Sequence, residues 1–308
     1  MLRQEARPSA DPAKAPSAYA ERAIFHTPRN GFMTFLPKVP AHTFLAERDR
    51  AFDSATGTAF VMLDLSGPLA TAYPATTPNL LARYARIEAG KSLRLAVPSS
   101  GEAYYAIQGS GSVVKGKDRI EWRTGDTFCL PGGAAASVLT AESDAVLFLV
   151  TDEPALAWGG VGPAPEGTPA MQAVHYRAEA AAAEMARVQA RVNTEKVTGT
   201  VVIFTTPGLE RVKTVTPTIS LALNSLEPGG DQPPHRHNSA ALTLCLEGNG
   251  LHSMIDGERV DWHRHAVMVT PPLAVHSHHN RGDKPMLSLV AQDGGVFYNA
   301  RAIGFSFE

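Results

Sequence analysis

Three imidazoles spaced to share one divalent cation are the clearest chemistry in this sequence. His235 and His237 are one residue apart, and such side chains leave a strand on the same face. A later run, His276-Ser277-His278-His279-Asn280, would supply a third imidazole from a second strand. Three neutral imidazoles on one side of a metal leave its other positions open to oxygen and a substrate oxygen. Imidazole ligands alone admit several metals, and a fortuitous histidine-rich turn is the competing explanation. His278 lies two residues past His276 and would face the same interior. There it could act as general base for a substrate hydroxyl, orient oxygen, or make a structural hydrogen bond. Thr243, Gln232, Asn224 and Ser239 are candidate polar groups of a substrate pocket. His279 points the other way and is expected to be exposed, and Asn280 to satisfy turn backbone.

The elements needed to hold such a site are strands. Short apolar runs cover 59–65, 80–87, 103–107, 112–114, 119–122, 127–130 and 145–150. They resume at 199–204, 218–226, 241–246, 251–255, 258–262, 266–269 and 285–291, with glycine-rich or charged turns between them. The pattern is that of an all-β sandwich or barrel. One helix is expected over 173–191, with strong helix formers and no breaker. His26 and His42 are expected at the surface or as caps, His175 at the surface or in packing, and His252, His263 and His265 at the surface.

The two β blocks repeat one another. Gly109-Ser110-Gly111 matches Gly248-Asn249-Gly250. Gly116 through Trp122 matches Gly257 through Trp262, with one residue of shift in the turn. The expected organisation is an N-terminal arm over 1–50, a first domain over 51–155, a linker with its helix over 156–197, and a second domain over 198–308.

At this point the residues resemble the cupin superfamily. Its first motif spaces a glycine, His-x-His, a glutamate and a glycine; its second spaces a glycine, Pro-x-Gly, a histidine and an asparagine. The first block reads Gly90, Ala96, Pro98, Glu102, Gly109, then Gly125, Pro131, Gly133, Ala136: the turn residues without the histidines. The second reads Gly229, His235, His237, Ala241, Gly248, then His265, Pro271, Leu273, His276, Asn280. The resemblance implies two tandem cupin jelly rolls joined by a short helix, with metal only in the second. The first would be a structural or dimerising half.

Residues 199–308 look further like the catalytic cupin of the gentisate, salicylate and hydroxynaphthoate ring-cleaving dioxygenases. The likeness rests on Pro207-Gly208-Leu209, Thr216-Pro217-Thr218, Pro233-Pro234-His235-Arg236-His237-Asn238, Thr270-Pro271-Pro272 and the tail Gly304-Phe305-Ser306-Phe307-Glu308. It implies Fe(II) held by His235, His237 and His276 without a glutamate, and oxygenative opening of a hydroxylated aromatic acid. Two features depart from that family. The metal-bearing cupin comes second instead of first. The arginines that would clamp a carboxylate are replaced by Thr243 and by Thr198-Gly199-Thr200, leaving Arg211, Lys213 or the arm to substitute. Other expectations are a metal-dependent bicupin of another class (isomerase, lyase or hydrolase) and a ligand-sensing cupin.

The whole chain excludes several alternatives. With 28 Lys and Arg against 30 Asp and Glu in 308 residues, and no basic run, nucleic acid is not an expected partner. Cys129 and Cys245 sit in apolar runs and read as buried thiols. No apolar run reaches membrane-spanning length, and the first residues lack a signal-peptide core. The expectation is a soluble cytoplasmic homodimer or homotetramer acting on a small aromatic substrate and oxygen.

Overall fold

The structure, a computed structural model, describes residues 17–31, 33–162, 170–190 and 199–308. Residues up to 36 form a unit of their own. In it, Ser17 Oγ accepts from Ala20 N and caps the single helical turn Ala18–Glu21. Tyr19, Ile24, Phe25, Met33, Phe35 and Leu36 are exposed in that unit.

The rest folds as two similar double-sheet jelly rolls. The first has a six-stranded sheet in the order Val174–Tyr176, Thr127–Pro131, Gly101–Gln108, Ala145–Thr151, Leu81–Ile87, Ala59–Leu63. Facing it is a four-stranded sheet of Ser92–Leu95, Ser137–Ala141, Ser110–Lys115 and Asp118–Arg123. The second has a six-stranded sheet in the order His42–Thr43, Val267–Thr270, Ala241–Glu247, Met286–Gln292, Ser220–Leu226, Thr200–Phe204. Its partner sheet has five strands: Glu258–Asp261, Leu251–Ile255, His276–Asn280, His235–His237 and Phe305–Phe307. The sheets twist and pack face to face without closing edge to edge.

The two halves exchange edge strands. His42–Thr43, ahead of the first jelly roll, pairs with Val267–Thr270 of the second. Val174–Tyr176, ahead of the second, pairs with Thr127–Pro131 of the first. A helix follows each exchanged strand, Leu45–Phe52 and Ala178–Gln189. The helix expected over 173–191 therefore starts later. Residues 174–176 are strand, because β-branched and aromatic Val174 and Tyr176 pack well on a sheet edge and satisfy its ladder. His175 on that strand bonds Asp126 Oδ2 at 2.9 Å, and Arg191 lies outside the described residues. The expected arm over 1–50 likewise contributes an edge strand and a helix. Across the expected boundary between first domain and linker, Glu153–Gly159 is helical, with Pro154 in its first turn, where a missing N–H costs nothing.

The interface repeats itself as well. Thr77-Pro78-Asn79 and Thr216-Pro217-Thr218 form equivalent turns, each closed by its threonine Oγ1 accepting a backbone N–H from Leu80 or Ile219. Asn79 Nδ2 then donates to Asp293 Oδ2 at 2.6 Å, and Thr218 Oγ1 donates to Asp152 Oδ2 at 2.6 Å. A single apolar cluster runs through both halves, joining Tyr84, Phe148 and Val150 to Phe204, Leu242 and Val269. The six-stranded sheets are thus covered on both faces. This is why Leu81–Ile87 and Ala145–Thr151 are buried at every position instead of alternating.

Candidate metal centre

The candidate site of the second jelly roll is built by two short strands. His235 is the direct antiparallel partner of His276, and His237 follows on the same face. One nitrogen from each of His235, His237 and His276 falls within 4.8 Å of the others, and all three residues are buried. Each ring is oriented by its own backbone. Nδ1 of His235 reaches the Pro233 carbonyl at 2.8 Å, that of His237 the Ser239 carbonyl at 2.7 Å, and that of His276 the Ala274 carbonyl at 2.9 Å. A carbonyl only accepts, so each Nδ1 carries the proton and each Nε2 presents a lone pair. The donor set therefore fits a first-row divalent metal.

Burial reinforces this. It pushes His235 below its usual range, His237 down to about 4 and His276 down to about 3, the neighbouring histidines adding to the last. His265 also falls to about 4, from burial and then Arg264. These groups are neutral when folded and protonate near pH 6.5 when unfolded. Protons therefore bind the unfolded chain more strongly below pH 6.5, and stability is lost as pH falls from there toward 4. Urea unfolding of metal-free protein is expected to show a lower midpoint at pH 5 than at pH 7. His265→Gln, away from the triad, should shrink that difference.

The triad opens into a cavity of about 540 Å³. Thr243, Gln232, Asn224, Ser239 and His278 all line it, so the structure brings every sequence-derived candidate to one cavity. Arg211 and Lys213 line it too, on the loop before Ser220–Leu226. No carboxylate does among the described residues. Val201, Ile203, Leu221 and Val290 supply apolar surface. Thr198 lies outside the described residues.

Gln292 is a wall residue that sequence reasoning missed. Its Nε2 approaches His237 Nε2 at 3.2 Å while its Oε1 accepts from Ser239 Oγ at 3.2 Å. Nothing in its sequence context distinguishes it from any strand-end glutamine. The C-terminal strand Phe305–Phe307 pairs with His235–His237, setting Phe305 at 5.5 Å from the His235 ring. Arg236 pins it through Glu308 at 2.5 Å.

Several histidines differ from expectation. His252 is buried and stacks on His279 at 4.8 Å. His265 stacks on Phe52 at 5.0 Å, because the helix Leu45–Phe52 packs against this side of the second half. His279 is half-buried, tied to Asp231 and Ser277, and only His263 of the hairpin group is exposed. Asn280 meets its expectation: its amide donates to the Leu226 and Lys284 carbonyls and its Oδ1 accepts from Gly282 N. Both cysteines are free and buried.

In the first jelly roll the equivalent space is filled. Leu95 pairs with Ser137 as His235 pairs with His276, so these residues stand where spacing had suggested Ala96 and Ala136. The connection after Pro131 is one residue longer than that after Pro271, which shifts the register. Glu102, at the position of Ala241, is almost fully buried. It accepts from Lys115 Nζ at 2.6 Å, Tyr104 Oη at 2.6 Å and Ser137 Oγ at 2.5 Å.

Comparison with known proteins agrees with this architecture. Residues 222–291 match the Cupin domain family. The fold is similar to the salicylate 1,2-dioxygenase of Pseudaminobacter salicylatoxidans, with a TM-score of 0.75 at 13% identity, covering 96% of this chain and 99% of that one. A Bacillus subtilis oxalate decarboxylase aligns at a TM-score of 0.55 and 17% identity, covering 90% of this chain and 80% of its own. In sequence, a gentisate 1,2-dioxygenase of Aquipseudomonas alcaligenes is 37% identical over 87 residues, 28% of this chain and 25% of that protein. The 1-hydroxy-2-naphthoate 1,2-dioxygenase of Nocardioides sp. strain KP7 is 30% identical over 146 residues, 46% of this chain and 36% of its own. The sequence matches thus span well under two thirds of either relative. The fold is that of two tandem cupins. No helix among the described residues is long and apolar enough to cross a membrane.

Proposed function

We propose that this two-cupin chain is an Fe(II)-dependent dioxygenase that opens the ring of a hydroxylated aromatic acid. The observation that carries the reading is the triad of buried, carbonyl-oriented imidazoles opening into a cavity with apolar walls. His235, His237 and His276 would hold the metal through Nε2. When bound, the metal supplies a centre where oxygen and an electron-rich phenolic ring can exchange electrons. The strand and carbonyl contacts keep three coordinating lone pairs convergent without reorganisation. Val201, Ile203, Leu221 and Val290 suit the faces of a ring and exclude water. Thr243, Gln232 and Asn224 suit its polar substituents. Arg211 and Lys213, the only Lys or Arg side chains lining the cavity among the described residues, suit a carboxylate in place of the missing clamp. His278 offers a polar ring beside the ligands.

The same proposal includes a homodimer or homotetramer, which suits the exposed apolar side chains of residues 17–36, and a cytoplasmic location. The test is anaerobic reconstitution with Fe(II), then oxygen uptake with gentisate, salicylate, substituted salicylates, 1-hydroxy-2-naphthoate and hydroquinone. Uptake matched by loss of aromatic absorbance is expected. Tight metal binding with no uptake on any of them would move the assignment to a bicupin of another reaction class.

A further inference from the structure

We propose that Trp262 and Ser253 are positioning residues, acting through a hydrogen-bond relay that sets His278 as a donor toward the cavity. Trp262 Nε1 donates to Ser253 Oγ at 2.7 Å, and Ser253 Oγ lies 2.7 Å from His278 Nδ1. An indole N–H can only donate, so Ser253 Oγ accepts there. The serine proton then needs an acceptor, and His278 Nδ1 is the one within reach. Nδ1 is therefore the bare nitrogen and Nε2 carries the proton. Were Nδ1 the donor instead, the serine oxygen would accept twice and its own proton would be stranded in a fully buried position. The Trp262 ring also stands edge-on to His278, at 5.3 Å and 72°.

The tautomer is opposite to that of the three candidate ligands, whose Nδ1 atoms hold protons against carbonyls. His278 shares their face and lines the cavity, but its setting makes Nε2 a proton donor and not a lone pair. It is thus built to hydrogen-bond a ligand oxygen and not to join the metal or act as general base through that nitrogen.

The internal repeat provides a comparison. In the first half Val113 pairs with Ile120 and Leu139, as Ser253 pairs with Val260 and His278. Trp122 matches Trp262. With valine and leucine in the other two places, Trp122 Nε1 is buried with no partner among the described residues. The tryptophan is common to both halves, but serine and histidine occur only beside the three-histidine cluster.

The role assigned to the donor rests on the proposed function, whereas the tautomer does not. Long-range proton–nitrogen NMR on ¹⁵N-histidine-labelled, Zn(II)-loaded protein reads it directly, with His278 assigned by its loss in His278→Gln. The expected pattern is a bare Nδ1 and a protonated Nε2, retained in Ser253→Thr and lost to a tautomer mixture in Ser253→Ala. A protonated Nδ1 in the unmodified protein, or an unchanged pattern in Ser253→Ala, would overturn the relay. Salicylate affinity, used as the probe, should fall about tenfold in Ser253→Ala and recover in Ser253→Thr. Unchanged affinity would overturn the positioning role. A protein with the expected tautomer that binds no aromatic acid would count against the proposed function and leave the relay standing.

Discussion

Replacing His237 by alanine is expected to abolish stoichiometric metal binding while leaving the fold intact. The ring contributes one of three convergent lone pairs, and no carboxylate among the described residues lines the cavity to take its place. Even partners that merely orient ligands are worth about 10–100-fold in metal affinity, so loss of a ligand should exceed about a hundredfold. Competition with a chromophoric chelator measures this, with far-ultraviolet circular dichroism as the check on folding. His279→Ala is the control. That ring is held by Asp231 and Ser277 and faces away from the triad, so its variant should keep the metal. A His237→Ala protein with undiminished affinity would remove His237 from the ligand set.

The second large effect is expected where metal would not bind. Glu102→Ala should destabilise the protein by about 3–5 kcal/mol, because it leaves the Lys115 ammonium buried without its counter-charge. Tyr104 and Ser137 lose their acceptor as well. Lys115→Met should cost a similar amount through the stranded carboxylate. The double change Glu102→Leu with Lys115→Met should recover part of the loss, since no buried charge is then left unpaired, while Tyr104 and Ser137 still lack their acceptor. Chemical denaturation reads all three. Metal affinity in the second half should stay unchanged throughout, because Glu102 stands in the other jelly roll. This gives the first half a physical role: a polar plug takes the space that the triad takes in the second.

Much of this was legible in the sequence, for identifiable reasons. The strand runs and the tandem repeat were visible because turn glycines and apolar runs recur at matching spacing. His235 and His237 were visible because strand periodicity puts them on one face, and His276 because its spacing matches the second cupin motif. The exchanged edge strands were not visible. His42–Thr43 is two residues long, and Val174–Tyr176 sits before a strong helix former run, so local propensity favoured helix. The register of the first jelly roll differs by one residue from the motif spacing, because spacing cannot reveal a longer connection. Lys115 gave no sign that it would be buried. Ser253 and Trp262 were equally silent, since their role depends on pairing with a histidine from a separate strand. His252 and His265 read as surface residues because their partners, His279 and Phe52, are distant in sequence.

The proposed function has oxygen inserted into an aromatic ring at the three-histidine centre. Its most direct test is a single turnover of Fe(II)-loaded protein under ¹⁸O₂, using whichever hydroxylated aromatic acid supports uptake. Mass spectrometry of the product, trapped before its carbonyl oxygen exchanges with water, gives the result. A ring-opened product carrying both heavy oxygen atoms is expected, and none from His237→Ala. A product with an intact ring, or with oxygen drawn only from water, would contradict it.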